Sequence, residues 1–146
     1  MPDKETLERA EEDKREGKSP STQAGEFVRE EIEHVREGKH GARSAKQVIA
    51  IGLSKARRAG VKLPPPKNAS EETREQAARE TRKAKSAGKA KTSTKRSRAA
   101  SRKLKREGHS AASKLALSRH ARSAAAKRSS ASRSRSARKA AATRKK

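Results

Sequence analysis

An all-α fold is predicted by two stretches near the N-terminus in which apolar residues recur at helical spacing, and by the serine caps and glycine stops that bracket them. A third observation limits how far that fold extends. The chain of 146 residues is 29% hydrophobic and 40% charged, with one Phe and no Trp or Tyr, so it cannot build a large core. Low hydrophobicity with high net charge is the composition of chains that stay unfolded over much of their length. The expected architecture is short helices with a helical hairpin in the N-terminal half, followed by a basic C-terminal half that is largely disordered or extended-helical.

Charge divides the chain in the same way. Residues 1–63 carry 14 Lys/Arg and 12 Asp/Glu, a balance of +2, and residues 64–146 carry 27 and 5, a balance of +22, which together give the net +24. From Arg82 onward the only acid is Glu107. A nearly neutral head, residues 1–63, therefore precedes a Pro-rich linker at 64–69, a helix at 70–88 and a low-complexity Ala/Ser/Lys/Arg tail at 89–146.

Within the head, residues 3–16 are good helix formers with Glu-to-Arg pairs four residues apart, but Leu7 and Ala10 are almost their only apolar face, so a frayed helix is expected. Gly17 suits a left-handed stop, and Ser19 with Pro20 suits the start of the next helix, as N-cap and first helical residue. That helix, to about Glu37, aligns Ala24, Phe27, Val28, Ile32 and Val35 on one stripe. Gly38 ends it, KHGAR turns the chain, and Ser44 with Gln47 three residues later forms a capping box. On the third helix Ala45, Val48, Ile49, Gly52, Leu53 and Ala56 share one arc with the small residues at its centre, so a neighbouring helix can approach closely. Ile49 and Leu53 are expected to face that neighbour, and only Ile51 falls off the pattern.

The hairpin thus spans 20–59, and so few apolar side chains oppose its ordering entropy that self-association or folding on a partner is expected. VKLPPPKNAS is an extended spacer, because its three prolines forbid helix continuation. Ser70 caps SEETREQAARETRKAK, whose acidic first turn and basic last turn suit the helix dipole. The tail has no proline, and helix is expected around 95–106 and 110–127 once its charge is neutralised. The triplet REG occurs at 15–17, 36–38 and 106–108, a candidate internal repeat.

Motifs for catalysis are missing. Without Cys there are no disulfides, thiolate nucleophiles or thiolate metal sites. His34, His40, His109 and His120 form neither HExxH nor HxxxH, so solvated or turn histidines are expected, and no metal or other cofactor. GLSKA at 52–56 lies mid-helix rather than on a strand-to-helix elbow, and GKAKT at 88–92 lacks the upstream Gly of a phosphate loop. The carboxylate pairs Glu30–Glu31 and Glu71–Glu72 are expected on solvated helix surface. The sequence points to a protein that is not an enzyme.

The basic tail points instead to nucleic acid, DNA before RNA, bound through the backbone with release of counterions and without base readout. Aromatic platforms for unpaired bases are lacking. The residues expected to contact phosphates are Lys55, Arg57, Arg58 and Lys62 at the end of the third helix, then Lys89, Lys91, Lys95, Arg96, Arg98, Arg102, Lys103, Lys105, Arg106, Arg119, Arg122, Lys127, Arg128, Arg133, Arg135, Arg138, Lys139, Arg144, Lys145 and Lys146. Ser132, Ser134 and Ser136 alternate with Arg133 and Arg135, so phosphate there is expected to weaken binding. An RNA- or ribosome-associated protein, or a protein-interaction module anchored by a cationic tail, are the alternatives. The longest apolar run, VIAIGL, is too short to cross a bilayer, and the acidic N-terminus resembles no leader peptide; a cytoplasmic location at the nucleoid is expected.

The segment SAKQVIAIGLSKARRAG resembles the signature Ser-x-Lys-Gln-x-Ile-Ala-Ile-x-Leu-Ser-x-Ala-Arg of a family of small basic bacterial proteins without established function, matching at Ser44, Lys46, Gln47, Ile49, Ala50, Ile51, Leu53, Ser54, Ala56 and Arg57. The resemblance extends over the REGKSPSTQAGEFVREEIEHVREGKHGAR and REGHSAASKLALSRHARSAA regions, and it implies a bacterial cytoplasmic protein. The tail also resembles those of linker histones and bacterial histone-like proteins, without their Lys-Pro repeats or Arg-Gly-Arg-Pro hook.

Overall fold

Helix punctuation by Ser and Gly sets the element order of the head. The structure, a computed structural model, describes residues 1–86 and 93–145. Its helices are α1 (Lys4–Arg15), α2 (Pro20–Arg36), α3 (Ala45–Arg58), α4 (Glu71–Lys85), α5 (Thr94–Arg106), α6 (Lys114–Ala126) and α7 (Ser130–Arg144), with a 3-10 turn at Ser110–Ala112, and no strand occurs among the described residues. Ser19, Ser44 and Ser70 each accept a backbone N–H from three residues on. At Ser44 the capping box is offset by one residue, since the Gln47 side chain accepts from the Arg43 amide at 2.8 Å. Gly17 and Gly38 end α1 and α2 with φ of 73° and 77°, values that side chains with a Cβ seldom adopt.

The expected hairpin is formed by α2 and α3, and α1 packs on α2 while α4 packs on α3. Gly52 is what lets α2 and α3 meet closely: a Cβ placed there would lie 2.6 Å from the Val28 Cα. Around this crossing Ala24, Phe27, Val35, Ala45, Val48 and Ala56 are buried. Ile49 and Leu53 are only half-buried, because the side of the arc that carries Val48, Gly52, Ala45 and Ala56 takes the inward position and these two lie toward its other edge. One apolar cluster joins Ala10, Ala24, Phe27 and Ala56, with Leu53, Val61 and Leu63 against it.

Two expectations about the head are corrected. Residues 4–15 do not fray, because α1 buries Thr6, Ala10 and Asp13; the Arg9 Nε donates to Glu26 on α2 at 2.8 Å, and Asp13 accepts from Lys18 at the same distance. Polar contacts supply what its short apolar face lacks. Glu30 and Glu31, expected on solvated surface, are 3% and 1% exposed, whereas Glu71 and Glu72 are exposed as expected.

The C-terminal half is helical, not disordered, through 94–106, 114–126 and 130–144. Alanine content, the absence of proline and the Ser113 and Ser129 caps favour helix locally. Nor is this half separate from the head. Ala111 and Ala112 are buried in a second apolar cluster with Val35, Ala42 and Val48. The Gly41 and Ala42 amides donate to the carbonyls of Leu104 and Gly108 at 2.9 and 3.0 Å, and Arg36 Nε donates to the Ala112 carbonyl at 2.9 Å. A Cβ at Gly41 would overlap the Glu107 carbonyl. The third REG triplet therefore differs from the first two: Glu107 is extended, with ψ of 152°, where Glu16 and Glu37 are helical.

Replacing Gly52 tests the crossing. Gly52→Ala should lower unfolding free energy by roughly 1–3 kcal/mol, the usual penalty of overpacking, in urea titrations followed by circular dichroism. Stability equal to or above that of the unaltered protein would contradict the close approach.

Candidate nucleic-acid interface and the buried charge cluster

Free positive charge is concentrated on α5, α6 and α7. Every Lys and Arg from Lys95 to Lys145 is exposed, and among the described residues none of them has a carboxylate within ion-pair distance; the one acid in this region, Glu107, faces Arg43 at 3.8 Å. At 3.6 residues per turn, Lys95, Arg96, Arg98, Arg102, Lys103, Lys105 and Arg106 occupy about half of the α5 circumference, opposite Ser97, Ala100 and Leu104. On α6, Arg119 and Arg122 project to solvent, as does Lys114, which charge counting alone did not single out. Lys127 and Arg128 precede α7, whose Arg133, Arg135, Arg138, Lys139 and Arg144, with Lys145 after it, lie on all sides of the helix. Arg128 also donates to the hydroxyls of Ser132 at 3.0 Å and Ser136 at 2.6 Å. Lys89, Lys91 and Lys146 lie outside the described residues.

At the end of α3 the expected site divides. Arg58 and Lys62 are exposed and open to an anionic ligand. Lys55 and Arg57 are turned inward and neutralised. Arg57 is 8% exposed, donates to Glu80 of α4 at 3.3 Å and to the Leu63 carbonyl at 3.3 Å. Glu80 also accepts from Ser54 and Gln76. Burial alone would raise the Glu80 pKa, but the Ser54, Gln76 and Arg57 donors outweigh it and hold the carboxyl below the ordinary 4.5.

Lys55 reaches the acid pair of α2. Its Nζ donates to Glu30 Oε1 at 3.0 Å and forms a buried ion pair with Glu31 Oε2 at 2.6 Å. Glu30 further accepts the Asp3 amide at 3.1 Å. Desolvation opposes the charge on Glu30, yet the Lys55, Asp3 and Thr6 donors prevail and lower its pKa. Two imidazoles close the cluster: His40 Nε2 is 2.6 Å from Glu31 Oε1, and His34 Nε2 is 3.1 Å from Asp3 Oδ2. Separation in sequence hid this convergence; its one legible trace is Glu31-x-x-His34, a pair on one face of a helix turn.

Residues 13–67 are similar to the Family of unknown function (DUF6496). The match takes in α2, the KHGAR turn, α3 and the proline segment, and ends before the basic half of the chain. No curated protein and no solved structure matches the chain.

Protonation of Glu80 removes the partner of a buried guanidinium. Because its folded pKa lies below 4.5, its contribution to stability is complete above that pH and is lost as pH falls through the lowered value. Urea unfolding at a series of pH values should show this acid limb, and Glu80→Gln should flatten it. Glu80→Ala should cost about 3–5 kcal/mol at neutral pH; a loss within experimental error would show that the pair is solvated.

Proposed function

We propose that this protein binds nucleic-acid backbones without sequence readout, duplex DNA in preference to RNA, as a nucleoid-associated protein of a bacterium. The observation that carries the reading is the run of exposed, unpaired Lys and Arg along α5, α6 and α7. Each phosphate they neutralise releases condensed counterions, which gives affinity independent of sequence. Base-specific contact needs side chains fixed by a scaffold in a groove, and the long flexible cations of α7 point in every direction. Phe27, the single residue of the Phe, Tyr and Trp type, is 1% exposed, so no ring of that kind is free to stack on an unpaired base. That favours a duplex over single strands.

The contacting set in this reading is Arg58 and Lys62 with the cations of the C-terminal helices, and it leaves out Lys55 and Arg57. No helix among the described residues is long and apolar enough to cross a membrane, and the reading requires none.

Titration of the full-length protein with duplex DNA over a range of salt concentrations tests it. If about ten phosphates are neutralised, log K should fall with log salt at a slope of roughly −9, equally for scrambled sequences. Replacing Arg98, Arg102 and Lys105 on α5 by Gln should make the slope shallower by about 1 per residue and weaken all duplexes alike. A shallow slope with strong preference for one sequence would refute backbone binding. Tighter binding to structured RNA than to DNA of equal length would reassign the ligand.

A further inference from the structure

Glu31, His34 and His40 present one carboxylate and two imidazoles at the C-terminal end of α2, with ligand atoms all within 4.8 Å of one another. We propose that these three side chains form a binding site for a divalent transition-metal cation of the Zn2+ class, with Asp3 as the group that orients His34. The inference is independent of nucleic-acid binding.

The donor set comes first. Two neutral imidazoles and a carboxylate are the ligands of a borderline cation, whereas Ca2+ and Mg2+ take oxygen alone. The second observation is the placement of Glu31, whose side chain is 1% exposed, with one oxygen held by Lys55 Nζ at 2.6 Å and the other turned to His40.

Orientation of the rings is the third observation. His40 Nδ1 is 3.0 Å from the Gly41 carbonyl, which can only accept, so Nδ1 carries the hydrogen and Nε2 is the nitrogen turned to Glu31. His34 is arranged alike by another group: its Nε2 faces Asp3 Oδ2 at 3.1 Å, leaving Nδ1 on the interior side. A ligating imidazole typically gives its other N–H to a carbonyl or carboxylate in this way, fixing the ring before metal arrives. The 2.6 Å contact between His40 Nε2 and Glu31 Oε1 needs a proton between them, and the metal takes that proton's place.

Charge argues in the same direction. Glu30 and Glu31 share the Lys55 ammonium and Asp3 lies against His34, so three carboxylates gather around one ion-paired ammonium and the cluster holds an excess of negative charge inside a chain of net +24. Lys55 stays on Glu30 and offsets part of that excess. Bound metal would tie the end of α2 to His40, next to Gly41 and Ala42, whose amides hold the segment after α5. The site is thus placed to fix how the basic half sits on the head.

Full-length protein freed of metal with a chelator, then dialysed, should bind one equivalent of Zn2+ by isothermal titration calorimetry and rise in thermal midpoint with Zn2+ concentration. Co2+ should give the visible absorption of a four-coordinate site. His40→Gln, His34→Gln and Glu31→Gln should each weaken Zn2+ binding by about tenfold or more, while His120→Gln, outside the cluster, should leave it unchanged. Asp3→Asn should weaken it less than the ligand changes do. Absence of stoichiometric binding, or equal loss in His120→Gln, would overturn the site. If a ligand variant loses its helical circular dichroism, the Co2+ spectrum of the unaltered protein decides: an octahedral, aquo-like spectrum overturns the proposal and a four-coordinate one upholds it.

Discussion

Contact between the backbones of α2 and α3 at Gly52 is the constraint on which the head depends. A chain with a single aromatic residue has little side-chain volume to fill the space between two helices at ordinary separation. With a hydrogen at Gly52 and alanines at positions 45 and 56, the helices close until Val28 touches α3, and modest side chains such as Val35 and Val48 suffice to exclude water. That closeness also brings Lys55 of α3 to Glu30 and Glu31 of α2. The ion pairs follow from the small-residue seam.

Two populations of cations result. The inward-turned ones of the head are committed to carboxylates, as Arg9 is to Glu26, Lys18 to Asp13 and Arg57 to Glu80; the pairs hold α1, α2, α3 and α4 together where apolar area is short. Those of the C-terminal helices have no such partners among the described residues and stay hydrated. Truncating one member of an internal pair acts mainly on folding, because it strands a charge, whereas truncating an exposed cation acts on long-range attraction.

Periodicity and capping residues made the hairpin legible in the sequence. Ser19, Ser44, Gly17 and Gly38 do in the structure what their chemistry requires, and the KHGAR turn joins α2 to α3. Contacts between residues distant in sequence were not legible. Glu30 and Glu31 look like a solvated pair until Lys55, His40 and the Asp3 amide are placed around them, and Lys55 and Arg57 look like free cations until Glu30, Glu31 and Glu80 are found opposite. Composition misjudged the C-terminal half, because low hydrophobicity reports on core size and not on the helix propensity of alanine, lysine and arginine. The docking of Ala111 and Ala112 carried almost no signal, since two small residues in an Ala/Ser-rich segment differ from their neighbours only by where they sit.

The contact from Arg36 to the Ala112 carbonyl spans 76 positions of sequence, and this has a consequence for the order of assembly. Closing so long a loop is entropically harder than forming the α2–α3 hairpin, whose halves adjoin through one short turn. On the ribosome α1 to α4 emerge and pack first, and the turn at Gly41 and Ala42 stays open to water until residues 104–112 follow. The same seam, joined by few apolar atoms, is then the first to part in the native state, so amide hydrogens at Gly41 and Ala42 exchange ahead of those inside α2 and α3.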